Sequence, residues 1–489
     1  MEILRPAFVA APNVKAMINI GAGFDIPTGA YLQGKHGESI LNGGLGNLTG
    51  VSGIGNSYKS TTMHYQTLTA MARMGSSVAN TYDTEINKHE HRLLDLVNNI
   101  PEFHGEDVID SGKWVITDKT RHTGDEWFDI LKDYLQLKRK NEKQMQVETP
   151  FLDRDHKSYL KIIQPTFTEV DSLSEFSTQD VIRMQDENSL GESGANMVSM
   201  RQGQQKNRFL MEIPSLAGGS YNYTLMVAHL GDEFQLDPRA PVKKKLAFLK
   251  QGTKLKGVPE KFTFVMNNFW LATKAMPLVN DQKQPLYPRD SEDNMQGDTD
   301  LTEVEFCQLR GKSGPTGIVL TVVVSQEEGV LPSLTEFHYI KDQDRFGLEG
   351  NLQNYVLAMC PEIKLSRTAV RGKIDRHPEL RRALNITSEM CQMQQYWHTL
   401  EPKYRVSPKQ LYDELKAQGW DWEVLLNDTR GWWCPIGLHT DKFFLSTMDL
   451  LRMRTGEYIP YWHDAPPPEA VKLYNSLHPD KPWVAGVAK

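Results

Sequence analysis

Cysteine is scarce in this sequence. Cys307, Cys360, Cys391 and Cys434 are the only four in 489 residues, widely spaced and with no C-x-x-C pair. That argues against a disulfide framework or a zinc finger and fits a reducing cytoplasm. Cys434 with His439 is half a metal site at most and reads more simply as two ordinary buried residues. Long apolar runs are missing too. No uncharged stretch is long enough to span a bilayer, so no membrane partner is expected, and the opening Met1-Glu2-Ile3-Leu4-Arg5-Pro6 does not read as a signal peptide. Positive charge is in deficit: 55 Lys and Arg against 62 Asp and Glu give a net charge of -7. The chain as a whole is not drawn to nucleic acid, and any grip on a phosphate backbone must come from a local basic patch. A hydrophobic share of 39% and a charged share of 24% describe a soluble globular protein, long enough for two or three domains. No internal repeat is present.

What is present is a stretch around which the rest is arranged, Asn47 to Thr62. An apolar and β-branched run, Leu48 to Val51, enters a turn holding Gly53 and Gly55; Lys59, Ser60 and Thr61 follow, and a helical pattern runs from Thr62 to about Arg73. Backbone N–H groups at such a strand–loop–helix junction cradle phosphate oxygens. In the pattern G-x-x-x-x-G-K-[ST] the lysine neutralises the β- and γ-phosphates and the hydroxyl holds Mg²⁺. Gly53 fits the first glycine and Lys59-Ser60 the end, but Tyr58 stands where the second glycine should be. Gly53, Ile54, Gly55, Asn56, Ser57, Tyr58, Lys59, Ser60 and Thr61 are therefore the candidate ATP cradle. The competing reading is an ordinary glycine-rich turn with a chance Lys-Ser.

Taken in order, the chain begins with a leader, residues 1 to about 30, whose Pro6–Pro12 segment suits docking as an edge strand, on a neighbour or on its own domain. A glycine-rich stretch from Gly34 to Gly46 precedes the loop. Ser77–Tyr82 reads as a second strand, so Leu48–Tyr82 is β-α-β and implies a parallel sheet. Lys88–Asn98 reads as a helix. Residues 101–157 are a charged excursion with a strand at Trp114–Ile116 and a helix at Glu126–Arg139, where Lys138-Arg139-Lys140 reads as a solvated face. Ser158–Val170 is extended and Arg201–Ile213 helical. Tyr221–Ala228, Lys261–Met266 and Thr316–Ser325 read as strands, and 230–260 as a long loop. Beyond 350 the pattern turns helical, at Asn354–Met359, His377–Leu384 and Pro408–Gln418.

Four of the predicted strands end in residues suited to ATP hydrolysis: Lys59-Ser60, Glu85, Asp171 and His229. Ligands of open α/β sheets sit outside the carboxyl ends of the strands. Phosphoryl transfer to water needs charge neutralisation, a metal and an oriented water. Lys59 would supply the first; Ser60 and Asp171 would hold Mg²⁺; Glu85 would position or deprotonate the water; His229 would sense the γ-phosphate. Each has a plainer role open to it: a helix cap for Glu85, a turn for Asp171-Ser172, a hydrogen-bonded core histidine for His229. The local basic patch is Lys243, Lys244, Lys245, Lys250, Lys254 and Lys256, directly after His229. Its options are contact with single-stranded DNA and a solvated loop.

Together these residues resemble RecA-type recombinases, most closely the UvsX class of tailed phages, which also tolerates an aromatic before Lys-Ser, as in Ser57-Tyr58-Lys59-Ser60. Tyr82-Asp83-Thr84-Glu85, Val170-Asp171-Ser172-Leu173 and Ala228-His229 resemble the strand ends that carry the family's catalytic glutamate, metal-binding aspartate and nucleotide sensor. The resemblance covers roughly residues 40 to 350. It implies an α/β fold with a RecA-like P-loop ATPase core and a mainly parallel twisted sheet. It further implies ATP and Mg²⁺ as cofactors, homo-oligomeric filaments on single-stranded DNA, and strand exchange in the cytoplasm, the host's if the chain is phage-encoded. Residues about 175–207, including Arg201 and Lys206, and 230–260 correspond to the family's DNA-binding loops. Arg310 and Lys312 fall where the family places basic residues reaching ATP on the adjacent subunit, and Phe8 and Ala11 resemble its F-x-x-A polymerisation element. The expected division is an oligomerisation segment 1–35, an ATPase core 36–350 and a mainly helical domain 351–489. The polar strand Thr166–Val170, the long excursion and the region beyond 350 depart from the family. A hexameric DnaB-type helicase and a RecA-like mediator without turnover are the alternatives.

Overall fold

The computed structural model describes residues 10–75, 77–187, 195–232, 246–250, 252–289, 296–351 and 354–484, so the expectations placed on Phe8, Lys243, Lys244 and Lys245 lie outside the described residues. β1 (Leu48–Gly53) leads into α1 (Lys59–Met74); β2 (Ala79–Asp83), α2 (Glu90–Asn98), β3 (Trp114–Asp118), α3 (Gly124–Lys140), β4 (Thr166–Asp171), α4 (Ala195–Ser220) and β5 (Asn222–Asp232) follow. Then come β6 (Thr253–Lys256), α5 (Lys261–Val265), β7 (Asn268–Pro277), β8 (Leu301–Gly311), β9 (Val319–Ser325) and β10 (Gly329–Val330). These strands make one mixed sheet in the order β10-β9-β8-β7-β1-β5-β4-β2-β3, with β6 added on β5. From β7 to β3 every pairing is parallel; β8, β9 and β10 extend the sheet antiparallel.

Both faces of the parallel block are covered, as a parallel sheet requires. Side chains alternate along β5: Tyr223, Leu225 and Val227 pack with Met63, Leu68 and Met71 of α1, while Met226 and Ala228 pack with Trp127 of α3 and Phe209 of α4. The result is an α/β/α sandwich. A further core joins α6 (Pro332–Asp342) and α7 (Pro378–Tyr396) to the C-terminal region and to Ile26 and Leu41 of the N-terminal segment.

Several local expectations change. Lys261–Val265 is the helix α5, capped against the sheet by an edge-to-face contact between Phe262 and Phe269 (5.4 Å), and the strand lies just after it, in β7. A short apolar run carries no period strong enough to separate the two. Asn354–Leu357 is a strand between Leu348–Asn351 and Cys360–Leu365; Tyr355 and Leu357 face inward with a period of two. The segment 230–260 is not all loop, because β5 runs on to Asp232 and pairs with β6. Lys138 is not on a solvated face: it is 1% exposed, and its ammonium donates to Thr166 Oγ1 (2.9 Å).

Candidate functional site

Register places the polar strand ends on one edge. Gly53 lies opposite His229 across β1 and β5, and Asp83 opposite Asp171 across β2 and β4. The β1–α1 loop is shaped by sterics. A Cβ on Gly53 would come within 2.6 Å of Ser57 Oγ and 2.9 Å of Ala272 Cβ, so only glycine fits, whereas Gly55 borders open space. Tyr58, the residue replacing the second glycine, adopts the left-handed backbone such a glycine would take (φ 54°), and its hydroxyl shares a hydrogen bond with Thr302 Oγ1 of β8 (3.1 Å). Asn56 is left-handed too. The first turn of α1 carries no side-chain cap and no acid, leaving its orphan N–H groups and positive dipole end facing the loop.

Lys59 is buried beneath the loop, its ammonium donating to the Ile54 carbonyl (2.5 Å) with Ser57 Oγ at 3.5 Å. Burial pulls its proton affinity below the ordinary lysine range, and the negative charges of Asp171 and Glu85 partly restore it. Those carboxylates therefore act on this one ammonium. Ser60 donates through Oγ to Asp171 Oδ2. Asp171 also pairs with Lys88 (2.5 Å). Burial alone would raise the carboxyl, but Lys88 and then Ser60 outweigh it and hold it below the usual carboxylate range.

Behind this pair lies a buried chain of polar groups. Lys88 Nζ is 3.2 Å from His64 Nε2, and His64 Nδ1 is 2.8 Å from Glu169 Oε2. Glu169 accepts from Thr67 and Thr81, whose Oγ1 also accepts from the Trp114 indole. These bonds account for the polar character of β4: its carboxylate is fully enclosed and fully partnered.

Glu85 stands at the tip of a turn built by Asp83, whose carboxylate accepts the backbone N–H groups of Glu85, Ile86, Asn87 and Lys88 at 2.8–3.0 Å. That single carboxylate fixes both Glu85 and Lys88. Glu85 Oε1 is 2.6 Å from His229 Nε2, which is 3.3 Å from Ser172 Oγ. The two line an open polar cleft of about 520 Å³ together with Gly55, Lys119, Glu175 and Lys256. In β6, Lys256 pairs in register with His229, so the basic ribbon begins at the cleft.

Lys59, Ser60, Asp171, Glu85 and His229 are thus brought together. Lys250, Lys254 and Lys256 are exposed on or beside β6. Arg201 is half-exposed and paired with Asp180 (2.9 Å). Lys206 is not presented to a strand: it is 2% exposed and its ammonium donates to the Ser174 and Gly257 carbonyls, burial lowering its pKa to about 8. Arg310 and Lys312 lie at the amino-terminal end of the parallel strands, since Arg310 pairs with Phe269 and Phe269 with Gly50, so neither joins this chain's own loop. Burial, then Arg310 and Lys15, lower the proton affinity of Lys312. Ala11 is exposed and its carbonyl accepts from Arg154, pinning this part of the leader to its own chain. Among the described residues no cluster of three or more His, Cys, Asp or Glu is arranged to hold a metal, and no helix is long and apolar enough to cross a membrane.

Sequence reading missed Lys88, Asp83, His64 and Glu169. Asp83, two residues before Glu85, carried a turn signal; Lys88 and His64 gain their meaning only from partners far along the chain. No family model matches the chain, and no curated protein matches its sequence. Among solved structures it is similar to the crystal structure of the RadB recombinase, with a TM-score of 0.32 and 12% identity over 59% of this chain and 92% of that one. A likeness of that size carries no weight here, and the functional reading rests on the side chains.

Proposed function

We propose that this chain is a RecA-type ATPase that binds ATP and Mg²⁺ at the β1–α1 loop, assembles into homo-oligomeric filaments on single-stranded DNA and promotes strand exchange. The observation that carries the proposal is the convergence of Lys59, Ser60, Asp171 and the Glu85–His229 pair at the carboxyl edge of a parallel sheet, beside an uncapped helix N-terminus. The residues suit the cofactors. The glycine-shaped turn at Gly53 leaves backbone close to the loop's interior, and Ser60 with Asp171 offers the hard oxygen donors magnesium takes alongside phosphate. A cation already stands against Asp171, the Lys88 ammonium, which supports the reading of this carboxylate as a seat for positive charge.

In this reading Lys59 exchanges the Ile54 carbonyl for phosphate oxygens, and the first-turn N–H groups of α1 bind the rest. Ser60 and Asp171 would hold the metal, which when bound neutralises charge on the phosphates. Glu85 orients the attacking water and takes its proton. His229, hydrogen-bonded to that same carboxylate, reports the state of the cleft into β6, where Lys250, Lys254 and Lys256 contact the DNA backbone. Arg201 adds to that surface, Arg310 and Lys312 serve the neighbouring subunit's nucleotide, and the leader around Ala11 contributes to assembly.

The test is turnover with and without single-stranded DNA. Wild type is expected to hydrolyse ATP faster with DNA and to form filaments in micrographs. Glu85→Gln is expected to keep nucleotide binding and lose at least about a hundredfold in kcat, in the range of a removed general base. Equal turnover in the two proteins would contradict the assignment.

A further inference from the structure

A second concavity lies apart from the cleft beside Glu85. It is a cavity of about 780 Å³ near the other end of α1, walled by the N-terminal segment, α1, α6, α7 and the loop 429–442. Arg73 lies fourteen residues beyond Lys59, about 21 Å along the helix axis at 1.5 Å per residue, so this space is separate from the phosphate loop. Its size falls within the roughly 300–1,000 Å³ of small-molecule sites.

Five cations line the cavity, Arg73, Arg381, Arg382, Arg430 and Lys442, and among the described residues none of them forms an ion pair. Arg382 is 7% exposed; its terminal nitrogens donate to Asn385 Oδ1 (2.7 Å) and the Leu445 carbonyl (2.5 Å), while its Nε is enclosed and has no partner. The Nε of Arg430 is likewise enclosed and unpartnered. Gly431 leaves the space this arrangement needs, since a Cβ there would come within 2.6 Å of Arg382 Nη1. Arg73 and Arg430 both stack on Trp432, at 5.1 and 4.8 Å from its centroid. At the mouth, burial and then Arg381 and Arg382 lower the proton affinity of Lys442, and Asp428 restores part of it. Clustered, unpaired guanidinium groups are the arrangement that recognises multiply charged oxyanions.

Six carboxyls also line the cavity, Asp25, Glu102, Glu328, Glu336, Glu389 and Asp441. Glu328 is paired with Arg289 and Arg371, and Glu102 and Asp441 are exposed to solvent. The other three are satisfied inside the protein. Asp25 accepts the Ile20 and Gly21 N–H groups, Glu336 accepts from Asn385, and Glu389 accepts from Asn385 and Thr447. Burial raises all three, Asp25 to about 7 and Glu336 to about 8, so they offset the cations poorly near neutrality.

We propose that this cavity is a second ligand site that takes a small phosphorylated molecule, its oxyanion seated on Arg381, Arg382 and Lys442. The inference stands independently of the ATPase reading, because none of its residues belongs to the cleft at Glu85.

Calorimetric titration of the full chain with inorganic pyrophosphate tests it, in a Lys59→Ala background that disables the phosphate loop. Binding is expected to persist in Lys59→Ala and to weaken at least about tenfold when Arg381→Ala and Lys442→Ala are added. Arg381 is exposed, Lys442 is half-buried, and neither holds an ion pair, so the melting temperature without ligand should not move; it is measured alongside. Loss of all pyrophosphate binding in Lys59→Ala, or equal affinity with and without the two mouth substitutions, would overturn the proposal. So would a mouth variant that changes only oligonucleotide binding, which would make the cations a nucleic-acid surface.

Discussion

Lysines in this protein are read correctly only once their surroundings are known. Lys59, Lys88, Lys138 and Lys206 all have their ammonium groups tucked inside, on a carbonyl, a carboxylate, a hydroxyl and two carbonyls respectively. In a sequence they look like any solvated charge. Lys138 gives the cleanest test, since burial lowers its pKa to about 7. The unfolded chain then binds more protons than the folded one between about pH 7 and the ordinary lysine range, so this residue's contribution makes stability rise with pH through that window. Lys138→Met should be at least as stable as wild type near pH 7 in urea melts. It should also lack up to about 3 kcal/mol of the wild-type gain between about pH 7 and about pH 9. A rise of the same size in the variant would place the titration elsewhere. Lys88 makes the opposite case. Its side chain and that of Asp171 are 11% and 6% exposed, and removing one partner of such a pair strands the other charge. Lys88→Met should cost about 3 kcal/mol near neutral pH, and adding Asp171→Asn should recover most of it. A double variant as unstable as the single one would show that packing, not charge, is what Lys88 supplies.

The phosphate loop is the element where one residue type decides the shape. Its two glycines look equivalent in sequence and are not. Gly53 faces Ser57 and Ala272 at less than van der Waals distance for any Cβ, whereas a Cβ on Gly55 meets open space, and the backbone of Gly55 is not in the left-handed region. Gly53→Ala should therefore destabilise by about 1–3 kcal/mol through overpacking and weaken nucleotide binding with it, while Gly55→Ala should leave the melting temperature unchanged. Thermal melts of the two variants with and without an ATP analogue check both statements. Tyr58 shows why a strict pattern search fails here. It pays for the left-handed backbone with an anchor, the hydrogen bond its hydroxyl shares with Thr302 Oγ1 on β8. That compensation lies 244 residues away and leaves no local trace.

At the scale of the whole molecule, what was legible follows period and punctuation. β1 and β5 are β-branched or apolar runs, β2 and β4 are more polar extended ones, all four stop at polar residues, and register carries those residues to one edge. Elements whose identity depends on long-range packing were not legible. α5 reads as a strand until Phe262 is seen against Phe269, and the strand at Asn354–Leu357 reads as a helix until its neighbours on both sides appear. The polar strand β4, an anomaly by composition, resolves into the enclosed bonds of Glu169 to Thr67 and Thr81, beside His64. The anionic-ligand cavity was not legible in sequence, because its cations come from three separate segments, α1, α7 and the loop 429–442.

The most direct measurement is calorimetric titration of the full chain with a non-hydrolysable ATP analogue and magnesium, compared with Lys59→Ala. The expected result is saturable binding by wild type, weakened by at least about a hundredfold in the variant, in keeping with the loss of a charge-assisted contact to phosphate in a buried site. No binding by wild type, or the same affinity in both proteins, would contradict the convergence of these side chains on a triphosphate.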